Sequence, residues 1–387
     1  MGEYDVLVIG SGSAACSAAL RAAKGGLRVL VIEKSEWLGG TSAMSGAGVW
    51  IPANHVAAEA GIADSREDAL AYLRAVAPEG WEQKEDALWG AFAKAAPDML
   101  HFLSVNTPLD FRLINEPDPF AEAPGGKLYG RMLSPRPLSR RLLGKFARSL
   151  RRSTLPHSFT YQEIVDLDLY HHPIRAGFKV WPKLLWRWLT NSGGQGTALM
   201  TGLIKGCLDA GVTFQPGTRA VTLLQDPDSR IAGAEVESKG RRTKIVARRG
   251  VVIATGGFEW DAEMRARHFP GAFDRIGSPR GNEGDGQKLA ASVGAQLDRM
   301  DQANVYPCLP TRYQGQSHGL PMTFQAEPHS IVVDREGKRF VSENAFNIGE
   351  AIDARGPDGE PVHLPCYLVG DNRFLKTSLP FRWYASY

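Results

Sequence analysis

The 387-residue sequence predicts an α/β fold built on a buried parallel sheet, and three observations predict it. Val6 to Ile9 is a short apolar run suited to a strand covered on both faces, and Ala18, Ala19, Ala22 and Ala23 keep the helix after it slim. Val29 to Ile32 is a second run of the same kind, closing on the acid Glu33. Val251 to Ile253 is a third, ending in the small residues Ala254-Thr255-Gly256-Gly257 that let a strand end approach a ligand closely.

Between the first strand and its helix, Gly10, Gly12 and Ala15 stand at the G-x-G-x-x-G/A spacing. Gly10 permits the tight turn, Gly12 leaves room for a pyrophosphate, and Ala15 lets helix and strand pack closely. The helix N-terminus then faces the anion, with Ala14 beside it. Gly25-Gly26 end the helix, and Glu33, followed by Lys34, is placed to accept hydrogen bonds from a ribose. The unit is therefore Rossmann-like and binds a dinucleotide. Gly39, Gly40, Thr41 and Ser42, then Ser45, Gly46, Ala47 and Gly48, lay small residues and hydroxyls downstream of the acid, a surface along which a wide planar ring can slide.

The stretch G-G-T-S-A-M-S-G-A-G-V-W-I-P-A-N (Gly39 to Asn54) resembles the flavin-binding half of the fumarate reductase and 3-ketosteroid dehydrogenase flavoprotein superfamily, and the ketosteroid dehydrogenase branch in particular. The resemblance implies FAD, with the segment after the acid running along the pyrophosphate toward the isoalloxazine. In covalent members a histidine near Thr41-Ser42 carries the flavin; none occurs between Met1 and Pro52, so non-covalent FAD is expected. It further implies an FAD-binding domain over 1–272, with a helical excursion at about 65–190, and an inserted α+β substrate (capping) domain over 273–387. Family members continue beyond the point corresponding to Tyr387, so the second domain is expected to be incomplete.

The whole-chain composition excludes several other classes. With 43% hydrophobic and 22% charged residues the chain reads as an ordinary soluble protein, and a net charge of +3 does not argue for nucleic acid. Cys16, Cys207, Cys308 and Cys366 form no C-x-x-C pair, so neither a disulfide frame nor a zinc site is expected, and a reducing cytoplasm fits. No apolar run approaches the roughly twenty residues that cross a bilayer, and the N-terminus is no signal peptide.

Along the chain, Leu70, Tyr72, Leu73, Val76, Leu88, Phe92, Met99 and Phe102 recur at helical spacing, with breaks expected near Pro78-Glu79-Gly80 and at Pro97. Asp110 to Gly130 is a Pro/Gly-rich loop containing E-A-P-G-G-K-L-Y-G-R, similar to a ketosteroid dehydrogenase stretch in which a preceding tyrosine reaches the substrate. Here the preceding positions are Glu116, Pro117, Asp118, Pro119 and Phe120, which leaves Tyr129 as the loop's own phenol. Between Arg131 and Arg152 no acid occurs, and Leu142, Leu143, Phe146 and Leu150 would share one face of a helix. Such a helix either sits on the domain by its leucines, the favoured reading, or makes peripheral contact with an anionic membrane. Trp181, Leu184, Leu185, Trp186, Trp188 and Leu189 with Lys183 and Arg187 form a second patch of interfacial composition.

Gly193 and Gly194 open a helix over Thr197 to Cys207, Ala220 and Val221 lie on a strand that in related flavoproteins lends backbone groups to the adenine, and Ile231–Val236 with Lys244–Val246 reads as a hairpin. By resemblance Asp285, in Gly284-Asp285-Gly286, is a cofactor-side residue; a helix cap is the other reading and the two coexist. Tyr306-Pro307 falls where fumarate reductases place a substrate-binding His-Pro, and Asn347 stands where the two known chemistries place an arginine or a tyrosine.

The function expected is FAD-dependent dehydrogenation of a CH-CH bond beside a carbonyl of a lipophilic, steroid-like substrate, with a quinone as electron acceptor. The mechanism the resemblance implies is removal of the α proton by a base and hydride transfer from the β carbon to flavin N5. Tyr306 is the first candidate acid or base and Tyr129 the second. The alternatives are a flavoenzyme of a small carboxylic acid, using arginines such as Arg280, Arg312 and Arg339, and an inactive truncated flavoprotein.

Overall fold

The computed structural model describes residues 3–269, 275–346 and 348–378, in two compact units, Met1–Ala254 and Thr255–Tyr387. The division thus falls at Ala254, before the expected boundary at 272, which itself lies outside the described residues, as does Asn347.

The first unit begins β1 (Glu3–Ile9), α1 (Ser13–Lys24) and β2 (Val29–Glu33), in the predicted order, with β1 starting at Glu3 rather than at Val6. Leu7 and Val8 of β1 and Val31 and Ile32 of β2 are fully buried, as parallel strands covered on both faces require. A 3-10 turn (Thr41–Met44), β3 (Val49–Trp50) and α2 (His55–Glu59) follow, then α3 (Arg66–Val76) and α4 (Glu82–Asn106). The expected break between α3 and α4 is present, but α4 runs through Pro97. A proline removes one ladder hydrogen bond, and here Ala93, Ala96, Pro97 and Leu100 form the buried face, so packing outweighs that loss.

β4 (Phe111–Leu113), β5 (Met132–Pro135) and β6 (Leu138–Ser139) lead to a 3-10 segment, Arg140–Arg148, rather than the single amphipathic helix expected. Gly144 at φ 54, ψ −121 breaks it, so Leu143, Phe146 and Leu150 turn inward while Leu142 stays exposed. Next come α5 (Tyr161–Asp166), α6 (Pro173–Thr190), β7 (Ser192–Gly193) and α7 (Gln195–Asp209).

The last four strands complete a six-stranded sheet: β8 (Thr213–Pro216), β9 (Arg219–Gln225), β10 (Ile231–Ser238) and β11 (Arg241–Ile253), in the order β8-β2-β1-β11-β10-β9. The first four in that order are parallel; β10 is antiparallel to β11 and to β9. The hairpin strand and the third buried run, expected as separate pieces, are one strand, β11. The core is α1 and α7 packed on the sheet, with Ala15, Cys16, Ala19, Leu20, Met200, Leu203, Ile204 and Cys207 buried.

The second unit holds α8 (Ala262–His268), α9 (Asp285–Ser292), the hairpin β12 (Cys308–Tyr313) and β13 (Gln316–Pro321), β14 (Ser330–Val333), α10 (Ile348–Ile352), β15 (Tyr367–Gly370) and α11 (Asn372–Thr377). β14 pairs antiparallel with β15. Glu343 is buried, accepting from Val332 N–H at 2.8 Å and from Arg339 Nη2 at 2.5 Å.

Candidate functional site

Gly10, at φ 108, makes the turn out of β1, its N–H bonded to the Ile32 carbonyl at 2.9 Å. On its other side Ala254 N–H donates to Ile9 O at 2.9 Å, so the end of β11 lies beside the first glycine turn. Gly12 caps α1 without any side-chain hydrogen bond, and the first turn of α1 carries no acid. The helix N-terminus therefore keeps its positive end unopposed by a carboxylate.

The serine-rich segment after the acid comes directly onto that N-terminus. Ser13 N–H donates to Ser42 Oγ at 3.1 Å, and Ser42 Oγ lies 3.0 Å from Ser13 Oγ. A Cβ on Gly40 would sit 3.9 Å from Gly12 Cα, so the two glycine turns face each other with no side chain between them. Ser11, buried, donates to Glu33 Oε2 at 2.6 Å and accepts from Gly39 N–H at 3.0 Å, while Glu33 Oε1 accepts from Ser35 N–H at 2.9 Å. Thr218 N–H donates to Glu33 O at 2.8 Å, which brings the start of β9, with Ala220 and Val221, to the same acid. Ala14 is exposed and Ala15 buried at the head of α1; Lys34 and Thr41 flank the cluster.

The expected site residues therefore divide by unit. Gly10, Gly12, Ala14, Ala15, Glu33, Lys34, Gly39 to Ser42 and Ala254 form one contiguous surface with the start of β9. In the second unit, Gly286 N–H donates to Thr255 Oγ1 at 3.1 Å and Gln287 Nε2 to Gly256 O at 3.1 Å, so Thr255, Gly256 and Asp285 lie together at the head of α9. Gly284, left-handed at φ 70, is the N-cap, and Asp285 is the acid of the first turn rather than the cap. The surface in the first unit fits FAD: an open helix N-terminus for the pyrophosphate, an acid beside it for the ribose, and glycines where a Cβ would intrude.

Ser45 to Gly48 are shaped by a residue that motif reading missed. A Cβ on Gly48 would lie 2.7 Å from Tyr161 Cε1, so glycine at 48 makes room for the Tyr161 ring. Ala47 sits at φ 53, its N–H held by Ser45 Oγ at 3.2 Å. Tyr161 Oη donates to Glu116 Oε1 at 3.1 Å, and burial, then the Glu116 charge, pushes the phenol up. A phenol thus does reach the loop position that lacks its own tyrosine, delivered from α5, 45 residues on. No motif or spacing in the sequence points to Tyr161.

His157 is buried, accepting from Thr197 N–H at 3.2 Å through Nδ1. Burial, then the nearby Arg140 charge, lowers its pKa to about 4, against a hydrogen bond with the Met44 backbone. It fastens the Thr41–Met44 turn to the head of α7.

The Pro/Gly loop is a structural device. Arg131 is fully buried, with Nη2 2.7 Å from Asp64 Oδ1 and Nη1 2.8 Å from Asp118 Oδ2, its guanidinium packed on the neighbouring rings of Trp50 and Tyr72. Burial would raise the Asp64 carboxyl, but the Arg131 guanidinium and the Ala53 N–H hold it low. Of the two candidate tyrosines, Tyr129 is 38% and Tyr306 49% exposed, so neither is a core residue. Arg339 is committed to Glu343, and Arg280 lies over the Trp260 ring. A cavity of about 910 Å³ between α5 and α6 has mixed walls, with Arg112, Arg136, Glu163 and Lys183 beside Leu167, Val180, Pro182 and Trp186.

Comparison with known proteins agrees with this geometry. The family model described as FAD binding domain matches residues 5–383. The chain is 34% identical to 3-oxosteroid 1-dehydrogenase of Mycobacterium tuberculosis (strain ATCC 25618 / H37Rv), over 96% of this chain and 69% of that protein. It is also 34% identical to 4-oxocyclohexanecarboxylate 2-dehydrogenase of Sinomonas cyclohexanicum, over 96% of this chain and 65% of that one. Among solved structures, 3-ketosteroid delta1-dehydrogenase from Sterolibacterium denitrificans, in complex with 1,4-androstadiene-3,17-dione, superposes with a TM-score of 0.85 and 30% identity, covering 97% of this chain and 70% of that one.

Proposed function

Because this chain belongs to the FAD binding domain family, together with the 3-oxosteroid 1-dehydrogenases, we propose that it dehydrogenates a CH-CH bond beside the carbonyl of a lipophilic, steroid-like substrate. The observation that carries the cofactor half of this reading is the Ser13 N–H to Ser42 Oγ bond, which seats the small-residue segment on an open helix N-terminus. Gly10, Gly12, Gly39, Gly40 and Ser42 would hold the pyrophosphate, Glu33 the ribose, and the start of β9 the adenine. No histidine precedes His55, which supports a flavin held without a covalent bond.

The substrate must lose an α proton to a base and a hydride from the β carbon, leaving a C=C bond conjugated with the carbonyl. Bound FAD supplies the two-electron acceptor, and a quinone is the electron acceptor proposed for the enzyme. The chain's own part is to take the proton and polarise the carbonyl. Tyr306 and Tyr129 are candidates by their exposure, and Tyr161 by its bond to Glu116. A free phenol, with a pKa near 10, needs a hydrogen-bonding or cationic neighbour to act as base.

The likeness to a dehydrogenase of a cyclic keto acid favours a second reading, a smaller ring ketone bearing a carboxylate. Anaerobic flavin bleaching by a panel of 3-ketosteroids, 4-oxocyclohexanecarboxylate and dicarboxylates separates the readings. Bleaching by the ketosteroids alone is expected. Bleaching by a dicarboxylate alone would overturn the proposal.

A further inference from the structure

Helix α6 carries two apolar stripes, and the fold uses only one of them. Ala176, Val180 and Arg187 are buried on one side. Ile174, Phe178, Trp181, Leu185 and Trp188 are 75%, 76%, 58%, 47% and 77% exposed. At about 100° per residue those five fall within an arc of about 80° on a face turned to solvent. Arg175 stands on one flank of that face, about 100° from its centre, with exposed Lys179 about 40° further round, while Lys183 lies on the far side, 3.7 Å from Glu163. The 3-10 segment joins the same surface: Arg141 Nη2 donates to Leu189 O at 3.0 Å, next to exposed Leu142, Lys145 and Arg148.

We propose that α6, with the Arg140–Arg148 segment, lies in the interface of an anionic phospholipid bilayer. Indole rings favour the headgroup level, where the apolar body is buried and the N–H stays wet, and the exposed cations beside that face, Arg175 with Arg141, Lys145 and Arg148, meet the lipid phosphates. Charge supports that occupant. Of the twelve Lys and Arg in residues 131–191, Arg131, Arg151 and Arg187 are buried, and eight of the other nine are exposed, against two exposed acids, Asp166 and Asp168. The helix lies on the membrane rather than through it: no helix among the described residues is long and apolar enough to cross. The purpose rests on the enzymatic reading, in that a lipophilic ketone is collected from the layer in which it dissolves, but the surface itself does not depend on it.

Flotation of the purified protein with phosphatidylcholine vesicles containing about one third phosphatidylglycerol, against pure phosphatidylcholine, tests the proposal. The protein is expected to float with the anionic vesicles and to be released by high salt. The double variant Trp181→Ser/Trp188→Ser should lower the partition coefficient by about tenfold or more, and Arg175→Glu/Lys179→Glu should remove its salt-sensitive part. Flavin content and melting temperature equal to those of the parent show that the variants fold. A parent protein that stays unbound, tryptophan variants that float like the parent, or a parent dimer that the tryptophan variants dissolve without any vesicle binding, each overturns it. Ketosteroid bleaching in vesicle-free solution is scored separately: bleaching without flotation sinks the membrane inference alone, and flotation without bleaching sinks the enzymatic reading alone.

Discussion

The Ser11 hydroxyl donates to Glu33 across 2.6 Å, and the same oxygen accepts the Gly39 N–H at 3.0 Å. One side chain thus ties the first glycine turn, the acid at the end of β2 and the second glycine pair. Ser11→Ala leaves the buried Gly39 N–H without its acceptor and frees Glu33 to swing, a cost of about 1–3 kcal/mol. We expect a melting temperature lower by roughly 2–12 °C for a unit of this size, and weaker flavin retention on dialysis. A variant as stable and as yellow as the parent would show that the cluster does not position the ribose acid.

Gly12 offers a sharper test of the cofactor surface. A Cβ there already stands 3.5 Å from Ser42 Oγ, so Gly12→Trp fills the space over the α1 N-terminus. Flavin absorbance per protein should fall at least tenfold, about 1.4 kcal/mol or more in affinity, while the far-ultraviolet circular dichroism stays that of the parent. Full flavin content in a folded variant would remove the cofactor assignment.

His157 predicts a pH dependence of stability. Its folded pKa of about 4 lies below the ordinary 6.5, so the unfolded chain binds the extra proton across that window and the native state does not. Stability is full above pH 6.5 and is lost as pH falls toward about 4, by roughly 3 kcal/mol in all. His157→Gln keeps an acceptor for the Thr197 N–H and removes the titration. Melting curves between pH 7 and 4 should be flatter for the variant; equal slopes would assign the acid sensitivity elsewhere.

What could be read in advance follows from how local each cause is. β1, α1 and β2 end where predicted because buried apolar runs, alanines and Gly25 act within a few residues. Pro97 misled because a buried helix face decides against the local rule, and the 131–152 stretch misled because Gly144 adopts a backbone that no helix-period pattern reveals. The small residues at 39–42 were legible as a ligand surface, since their partners are the glycine turn itself. Gly48 was not: its reason is Tyr161, more than a hundred residues away. The Tyr161–Glu116 and His157–Thr197 pairs are long-range contacts that no spacing in the sequence announces.

Tyr161 and Glu116 carry the last prediction. Tyr161→Phe keeps the ring that packs on Gly48 and removes only the hydroxyl, so flavin content should be unchanged. If that phenol serves the α proton or the carbonyl, kcat should fall by about a hundredfold or more with little change in KM, the range general acid–base groups supply. Glu116→Gln separates chemistry from packing. Burial and the Glu116 charge both hold the phenol above its ordinary pKa, and removing the charge leaves burial alone. The alkaline limb of the pH–rate profile should then move to lower pH in Glu116→Gln, a shift that loss of a purely structural hydrogen bond would not give. Turnover of Tyr161→Phe within about twofold of the parent would return the role to Tyr306 or Tyr129, whose own phenylalanine variants should then show the hundredfold loss instead.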